Sequence, residues 1–414
     1  MLSPLAPFRI ALRERNLRLL LAGLAISQVG DWLYNLALLV FVYDRTHSSA
    51  WVGLTTAARI VPFVLLGPLG GILADRVARR PLMIGSDLAR AAVMAMLAVV
   101  VVFNAPIVLA PVLAALGTAA GVAYPPCVQA LLPRLATDQQ LPAANAVRST
   151  LTHICVVAGP LFGALLLLLG SPAIVFAVNG ATFVVGSVVV AFLPRKALRV
   201  ATGAARNESR PGLPAELQTG WRALRSAPDA PALVGANVIA SAVYGAFTVL
   251  FVMLAQRLGL GSSGYGYLLA GGGAGGVLAA GLASRAAASA HPRRALTLAM
   301  AAVGAPVPFL AIIGWYPAAI VLAGIFGAGS LVAEVVADTV LQRSLDPAVF
   351  ARAYGFVMPA NLAGIVAGAL LAPVLVAVFG LSGAVVTIGV GVLVYTGLML
   401  APAGEILRPV TRSI

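Results

Sequence analysis

Charge is scarce in this chain. Of its 414 residues, Asp, Glu, Lys and Arg make up 10%, against 61% hydrophobic residues. No soluble surface could hide that much apolar sequence, so a water-soluble fold is excluded. Cysteine is nearly absent as well. Cys127 and Cys155 each lie inside or beside an apolar run, which argues against a disulfide framework and against a cysteine metal site. Lysine is reduced to Lys196, followed by Ala197, so no GK[ST] phosphate loop is present and an on-chain ATP motor is disfavoured. No metal-ligand cluster and no nucleophile spaced with a base occurs. Neither a metal site nor a catalytic residue is therefore expected, and the chain does not read as an enzyme. Residues 271–276 spell GGGAGG, formally a dinucleotide fingerprint. They sit within an apolar run rather than after a strand, so close helix packing through glycines explains them better.

What the chain does have is long apolar runs. They fall at 17–43, 50–74, 82–103, 106–130, 144–170 and 172–193, and again at 231–255, 264–288, 293–314, 317–341, 354–379 and 381–403. A run of about 18 to 25 residues crosses a ~30 Å hydrocarbon layer as a helix, and period-2 alternation, the mark of a barrel, is missing. The expected fold is an all-α integral membrane protein of twelve transmembrane helices in two six-helix bundles. Residues 1–193 and 231–414 form the bundles, and 194–230, rich in arginine, proline and polar residues, reads as the loop between them.

The net charge of +14 lies in short gaps between the runs. That is a pattern of membrane orientation and not a nucleic-acid footprint. Arg9, Arg13, Arg15, Arg18, Arg76, Arg79, Arg80, Arg134, Arg285, Arg293, Arg294, Arg343, Arg352, Arg408 and Arg412 collect on one side with the 194–230 segment, while Arg45 and Arg257 lie on the other. The positive-inside rule then puts both termini in the cytoplasm, which requires an even number of spans. The first apolar stretch is too long for a signal-peptide core and reads as a retained span.

The halves echo each other. LPRL at 132–135 and LQRS at 341–344 each close a fourth span, and ADR at 74–76 and ASR at 283–285 each close a second. Two six-helix units in parallel repeat is one of the architectures transporters use, with substrate handled between the units.

Two motifs stand out. GPLGGILADRVARR at 67–80 passes abruptly from lipid-like sequence to fixed charge through Gly67, Gly71, Asp75, Arg76, Arg79 and Arg80. Glycines four apart share a helix face and let a neighbouring backbone approach, and a carboxylate at the membrane edge can meet an arginine or a helix N-terminus. The same charges also act as an orientation signal, and the two roles are compatible. AGPLFG at 158–163 carries Gly159, Pro160 and Gly163 within the fifth span. Its proline removes a backbone donor and offers a bend, although kinked membrane helices are common.

On these motifs the chain resembles the major facilitator superfamily, and within it the twelve-helix drug:proton antiporters, including macrolide-efflux and enterobactin-exporter types. The first motif is similar to the family's cytoplasmic loop motif, with Ala78 where the family usually has glycine. The resemblance implies a cytoplasmic gate in which Asp75 works across the contact between halves. The second is similar to the antiporter motif of exporters, with Cys155 and Ala164 replacing two flanking glycines. An arginine that exporters of this group often carry in the fourth span has no counterpart in 106–130.

Ionisable groups inside a membrane cost about 2.5 to 3.5 kcal/mol each on insertion scales, so each retained one is a candidate. Asp31, midway along the first span, is read as a proton carrier tuned by Arg59 of the second, or alternatively as half of a permanent ion pair. Glu334 is a second candidate proton site, with Asp338 one turn on and read as half of a structural pair near Arg343. Asp87 and Arg90, three apart, are expected to pair locally near the Asp75 corner. His153 reads as packing. Tyr34, Trp32, Phe63, Tyr124, Tyr244, Phe247, Tyr354 and Met358 are the aromatic and thioether residues that could line a substrate cavity.

The expectation is a proton-coupled secondary exporter of amphipathic small molecules such as drugs, antibiotics or siderophores, working by alternating access as a monomer in the cell inner membrane. It uses the proton motive force and no cofactor. Its partners are a small-molecule substrate, protons and the lipid bilayer, with no nucleic acid. The other readings are a lysolipid or lipid flippase of the same fold, and a non-transporting membrane scaffold or receptor.

Overall fold

The computed structural model describes residues 14–137, 140–193, 213–227, 230–289, 291–345 and 347–400. Among them it is all-helical, and ten helices are long and apolar enough to cross a membrane. By contacts the chain divides into two compact units. One is Met1–Ala205 with Tyr265–Ala270, and the other is Arg206–Gly264 with Gly271–Ile414.

The first unit holds α1 (Arg15–Thr46), α2 (Ser49–Arg76), α3 (Arg79–Val102), α4 (Leu109–Gly121), α5 (Tyr124–Leu135), α6 (Leu141–Leu169) and α7 (Pro172–Phe192). The expected fourth span is the continuous stretch Leu109–Leu135 with a break at Val122–Ala123. Pro125 and Pro126 lack N–H groups and fit only the first turn of a new helix, so α5 restarts there. Helix α1 is apolar on every side and accordingly central, with Leu36 to Leu39 fully buried. It packs on α6 and α7, while α3 pairs with α7 and α2 with α4. At the end where α1 and α3 begin and α5 closes, Leu17, Leu20 and Leu21 join Met83, Cys127 and Leu131 in one buried cluster.

Apolar helices gain little hydrophobic energy from meeting each other in lipid, so small residues decide where they touch. Gly30 of α1 lies against Asn179 and Thr182 of α7, and Gly70 of α2 lies on the Val122 carbonyl, where no side chain fits.

In the second unit lie α8 (Leu213–Ser226), α9 (Ala230–Arg257), α10 (Gly261–Ala287, apart from the Tyr265–Ala270 stretch), α11 (Pro292–Gly304), α12 (Pro306–Leu310), α13 (Tyr316–Ser344) and α14 (Pro347–Leu400). Helix α9 packs on α14, and α11 on α13. The glycines at 271–276 behave as read from sequence: Gly271 faces Ile320, Gly275 faces Gly324 and Gly272 faces Gly327, backbone against backbone between α10 and α13. Two local expectations need correction. The expected ninth span, 293–314, is two shorter helices, because Pro306 cannot donate into the turn that would have joined them. By contrast, the boundary expected between the runs 354–379 and 381–403 is where α14 breaks, at Gly380 with φ 69° and ψ 175°, a left-handed conformation costly for anything but glycine. Part of the expected central loop is helical, since Leu213, Leu217, Trp221 and Leu224 in α8 recur at helical spacing. That helix packs on α14, with the Trp221 and Phe356 rings 5.7 Å apart. Residues 194–212 lie outside the described residues.

Candidate functional site

The first unit carries a half-open cavity of about 390 Å³ whose wall combines fixed charge with aromatic rings. Asp31 and Tyr34 come from α1, Arg59 and Phe63 from α2, Arg90 and Met94 from α3, Tyr124 from α5, Arg148 from α6 and Phe183 from α7.

Glycines set the position of the Asp31 turn. Gly159 of α6 lies against the Trp32 side chain and the Val29 carbonyl, and a Cβ at Gly163 would fall 3.2 Å from Leu33 Cα. Gly30 draws the opposite face of the same turn onto α7. The motif glycines of the fifth span are thus the bed on which the acid-bearing segment of α1 rests.

Arg90 is the partner of Asp31. One guanidinium nitrogen, Nη2, donates to both carboxylate oxygens, at 2.6 Å to Oδ1 and 2.8 Å to Oδ2. The guanidinium also lies 3.8 Å from the centroid of the Phe183 ring, a cation–π contact. Gly121 leaves room beside it, with Arg90 Cδ and Nε 3.4 Å from where a Cβ would be. The pair is lopsided in exposure: the Asp31 side chain is 41% accessible and that of Arg90 16%. The acid faces the cavity while the base is held in the wall. This corrects two expectations, for Arg59 is not the partner of Asp31, and Arg90 reaches α1 instead of closing a local pair with Asp87. Arg59 also lines the cavity, and its Nε is buried without a hydrogen bond. Asp87, one turn before Arg90, is fully buried. Its neighbours are Arg90, the Tyr124 hydroxyl and Asp31, and neither of its oxygens has a fully formed hydrogen bond. It belongs to the floor of this site and not to the Asp75 corner.

Of the eight aromatic and thioether positions expected here, Tyr34, Phe63 and Tyr124 line the cavity. Phe247 does not: it is buried in the second unit, 4.9 Å from the Phe251 ring and 5.3 Å from that of Phe326. Half-buried Tyr244 and exposed Met358 also lie in the second unit and are not among the lining residues. Arg148 is a lining residue that the sequence reading passed over, although an arginine inside the 144–170 run was signal enough.

At the other motif, a Cβ at Gly67 or Gly71 would meet nothing within 4 Å, so the close approach expected of them belongs to Gly70. Asp75 is the penultimate residue of α2, and its side chain lies outside the described residues. Arg76 is exposed, Arg79 is buried with Nε and Nη1 unbonded, and Arg80 donates to the Ala191 carbonyl at the end of α7. In the second unit Asp338 accepts from Asn237 Nδ2 at 3.0 Å and from the Tyr354 hydroxyl at 2.9 Å. The expected partner Arg343 instead donates to the Ala287 carbonyl at 3.0 Å. Glu334 is exposed. The side chain of His153 lies outside the described residues.

The family profile described as Major Facilitator Superfamily matches residues 20–358. A relative from Bacillus subtilis, "Uncharacterized MFS-type transporter YfiS", is 30% identical over 185 residues, 44% of this chain and 43% of the relative. "Macrolide efflux protein A" of Streptococcus pyogenes is 24% identical over 238 residues, 57% of each chain. The match thus spans about half the length of these curated relatives. Among solved structures, the nucleoside transporter NupG (D323A mutant) superposes with a TM-score of 0.75 at 13% identity, covering 94% of this chain and all of the other. A bacterial homolog of the human lysosomal transporter Spinster, inward-facing and unoccupied, gives 0.69 at 14% identity over 94% and 95% of the two chains. At such identities these two likenesses concern the fold.

Proposed function

The chain belongs to the major facilitator superfamily and is a multi-pass membrane transporter, and from that premise we propose that it is a proton-coupled secondary exporter of amphipathic small molecules. The observation that carries the reading is the Asp31–Arg90 pair on the wall of the cavity. A carboxylate held by a guanidinium is favoured in its charged form, and one released from it in an apolar setting takes up a proton. Asp31 is the member open to the cavity, so it is the group that exchanges a proton. When it is protonated, Arg90 loses its counter-charge and the balance of the cavity changes. Binding of substrate and of proton are thereby linked, as exchange requires.

In this reading Gly67, Gly71, Asp75, Arg76, Arg79 and Arg80 form the cytoplasmic gate. The Gly159-Pro160 pair with Gly163 lets α6 yield as the two bundles, 1–193 and 231–414, alternate access to the cavity. The termini are cytoplasmic, and the working unit in the cell inner membrane is the monomer. Macrolide-like compounds are supported as substrates by the relatives named for macrolide efflux.

The test is transport into proteoliposomes with and without an imposed pH gradient. The native protein accumulates substrate with the gradient. Asp31→Asn, which keeps the shape and loses the titration, is expected to bind and equilibrate substrate without accumulating it. Undiminished gradient-driven accumulation by that variant removes Asp31 from the mechanism.

A further inference from the structure

Among the described residues, the cavity of the first unit has more positive charge on its wall than its acid can neutralise. Its lining includes Arg59, Arg90 and Arg148 but, among the described residues, a single acid, Asp31. Asp31 is already engaged by Arg90. Asp87, just behind the wall, faces the same Arg90, and with its charge counted the arginines still exceed the acids. No hydrogen bond or ion pair from the guanidinium of Arg59 or Arg148 is found among the described residues, and Arg59 Nε is buried without an acceptor. An uncompensated arginine within a membrane-spanning bundle is expensive and persists where something supplies the missing anion.

We infer that Arg59 and Arg148 form an anion subsite in this cavity, and that the compound it takes is an amphipathic anion. Such a compound places a carboxylate, phosphate or similar group on a guanidinium of this wall and its apolar body against Phe63, Met94 and Phe183. Guanidinium groups bind oxyanions through charge-assisted, often bidentate, hydrogen bonds, which gives such a ligand a defined orientation. The cavity volume of about 390 Å³ suits a small organic molecule. The inference rests on the export reading for the statement that the bound anion is cargo, and within that reading it replaces basic macrolide-like substrates with anionic ones.

Binding to the purified full-length protein tests it, with three fluorescent probes sharing a dansyl group: dansyl-phenylalanine as the anion, its methyl ester as the neutral compound and dansylcadaverine as the cation. The acid is expected to bind about tenfold or more tighter than the other two. Arg59→Gln and Arg148→Gln should each weaken the acid by about tenfold while leaving the ester unchanged, which also reports that the variants are folded. Arg59→Lys recovers part of the loss. Equal or tighter binding of the cation or the ester, no binding of the acid, or full affinity in both glutamine variants overturns the inference. Adding phosphatidylglycerol or phosphatidylcholine identifies the source of the anion. Displacement by the first alone assigns the subsite to an anionic lipid headgroup, and indifference to both assigns it to a soluble anion. Acid-selective binding without gradient-driven uptake of dansyl-phenylalanine into liposomes leaves the subsite standing and sinks the export reading instead.

Discussion

Gly186 of α7 faces Asp87 of α3 so closely that a Cβ at position 186 would lie 3.0 Å from the carboxylate Oδ2 and 3.1 Å from the hydroxyl of Ser27. The buried acid therefore occupies space that a missing methyl group leaves free, at the crossing of α1, α3 and α7. Gly186→Ala overpacks this point. A cost of about 1 to 3 kcal/mol is expected, as for other oversized core substitutions. The check is thermal unfolding in detergent, where Gly186→Ala lowers the midpoint and adding Asp87→Ala restores much of it. A double variant no more stable than Gly186→Ala alone would show that the two residues are not coupled.

The Asp31–Arg90 pair predicts a non-additive pattern in transport. Arg90→Gln leaves Asp31 without its cation and removes the contact with Phe183, so gradient-driven accumulation should fall at least as far as in Asp31→Asn. The double variant should be no worse than the poorer single one, because residues acting as one unit are lost once. Arg90→Lys keeps the charge but not the planar group stacked on Phe183, and retains intermediate activity. Accumulation rates in proteoliposomes decide it, and losses that simply add would mean that the two residues act separately.

The positions of the helices were legible in the sequence because hydropathy is a local property: expected runs at 144–170 and 317–341 became helices at Leu141–Leu169 and Tyr316–Ser344. Partnership was not legible. Asp31 and Arg90 lie 59 positions apart, and which of Arg59 or Arg90 meets Asp31 depends on how α2 and α3 are rotated about their axes. Composition does not record rotation. The same limit explains Phe247, which is as aromatic as Phe63 yet points into the core of its own unit. Helix α8 went unread for another reason. Its apolar stripe is short and lies among prolines and arginines, whose average polarity masks the periodicity.

The α10–α13 contact makes a prediction with its own control. A Cβ at Gly275 would lie 1.9 Å from the Gly324 carbonyl oxygen, a backbone atom that no rotamer change can move aside, whereas Gly281 on the same helix has nothing within 4 Å. Gly275→Ala should sharply lower the yield of monodisperse protein in size-exclusion profiles, and Gly281→Ala should leave it unchanged. Equal behaviour of the two would mean that the glycines at 271–276 are not a packing surface.

In the first motif three glycines within five residues have different surroundings. Gly70 lies on the Val122 carbonyl, while Gly67 and Gly71 face open space. They can differ because successive residues of a helix are turned by about 100°. Gly70→Ala therefore pushes α2 away from the break between α4 and α5, destabilising the bundle by about 1 to 3 kcal/mol. Gly67→Ala and Gly71→Ala cost nothing in the state described, so their melting profiles should match the native protein. If the gate proposed at this corner closes by bringing another backbone against that face, the same two variants lose turnover while keeping full stability and substrate affinity. Native turnover in both would remove Gly67 and Gly71 from the gate and leave the charged residues that follow as markers of orientation.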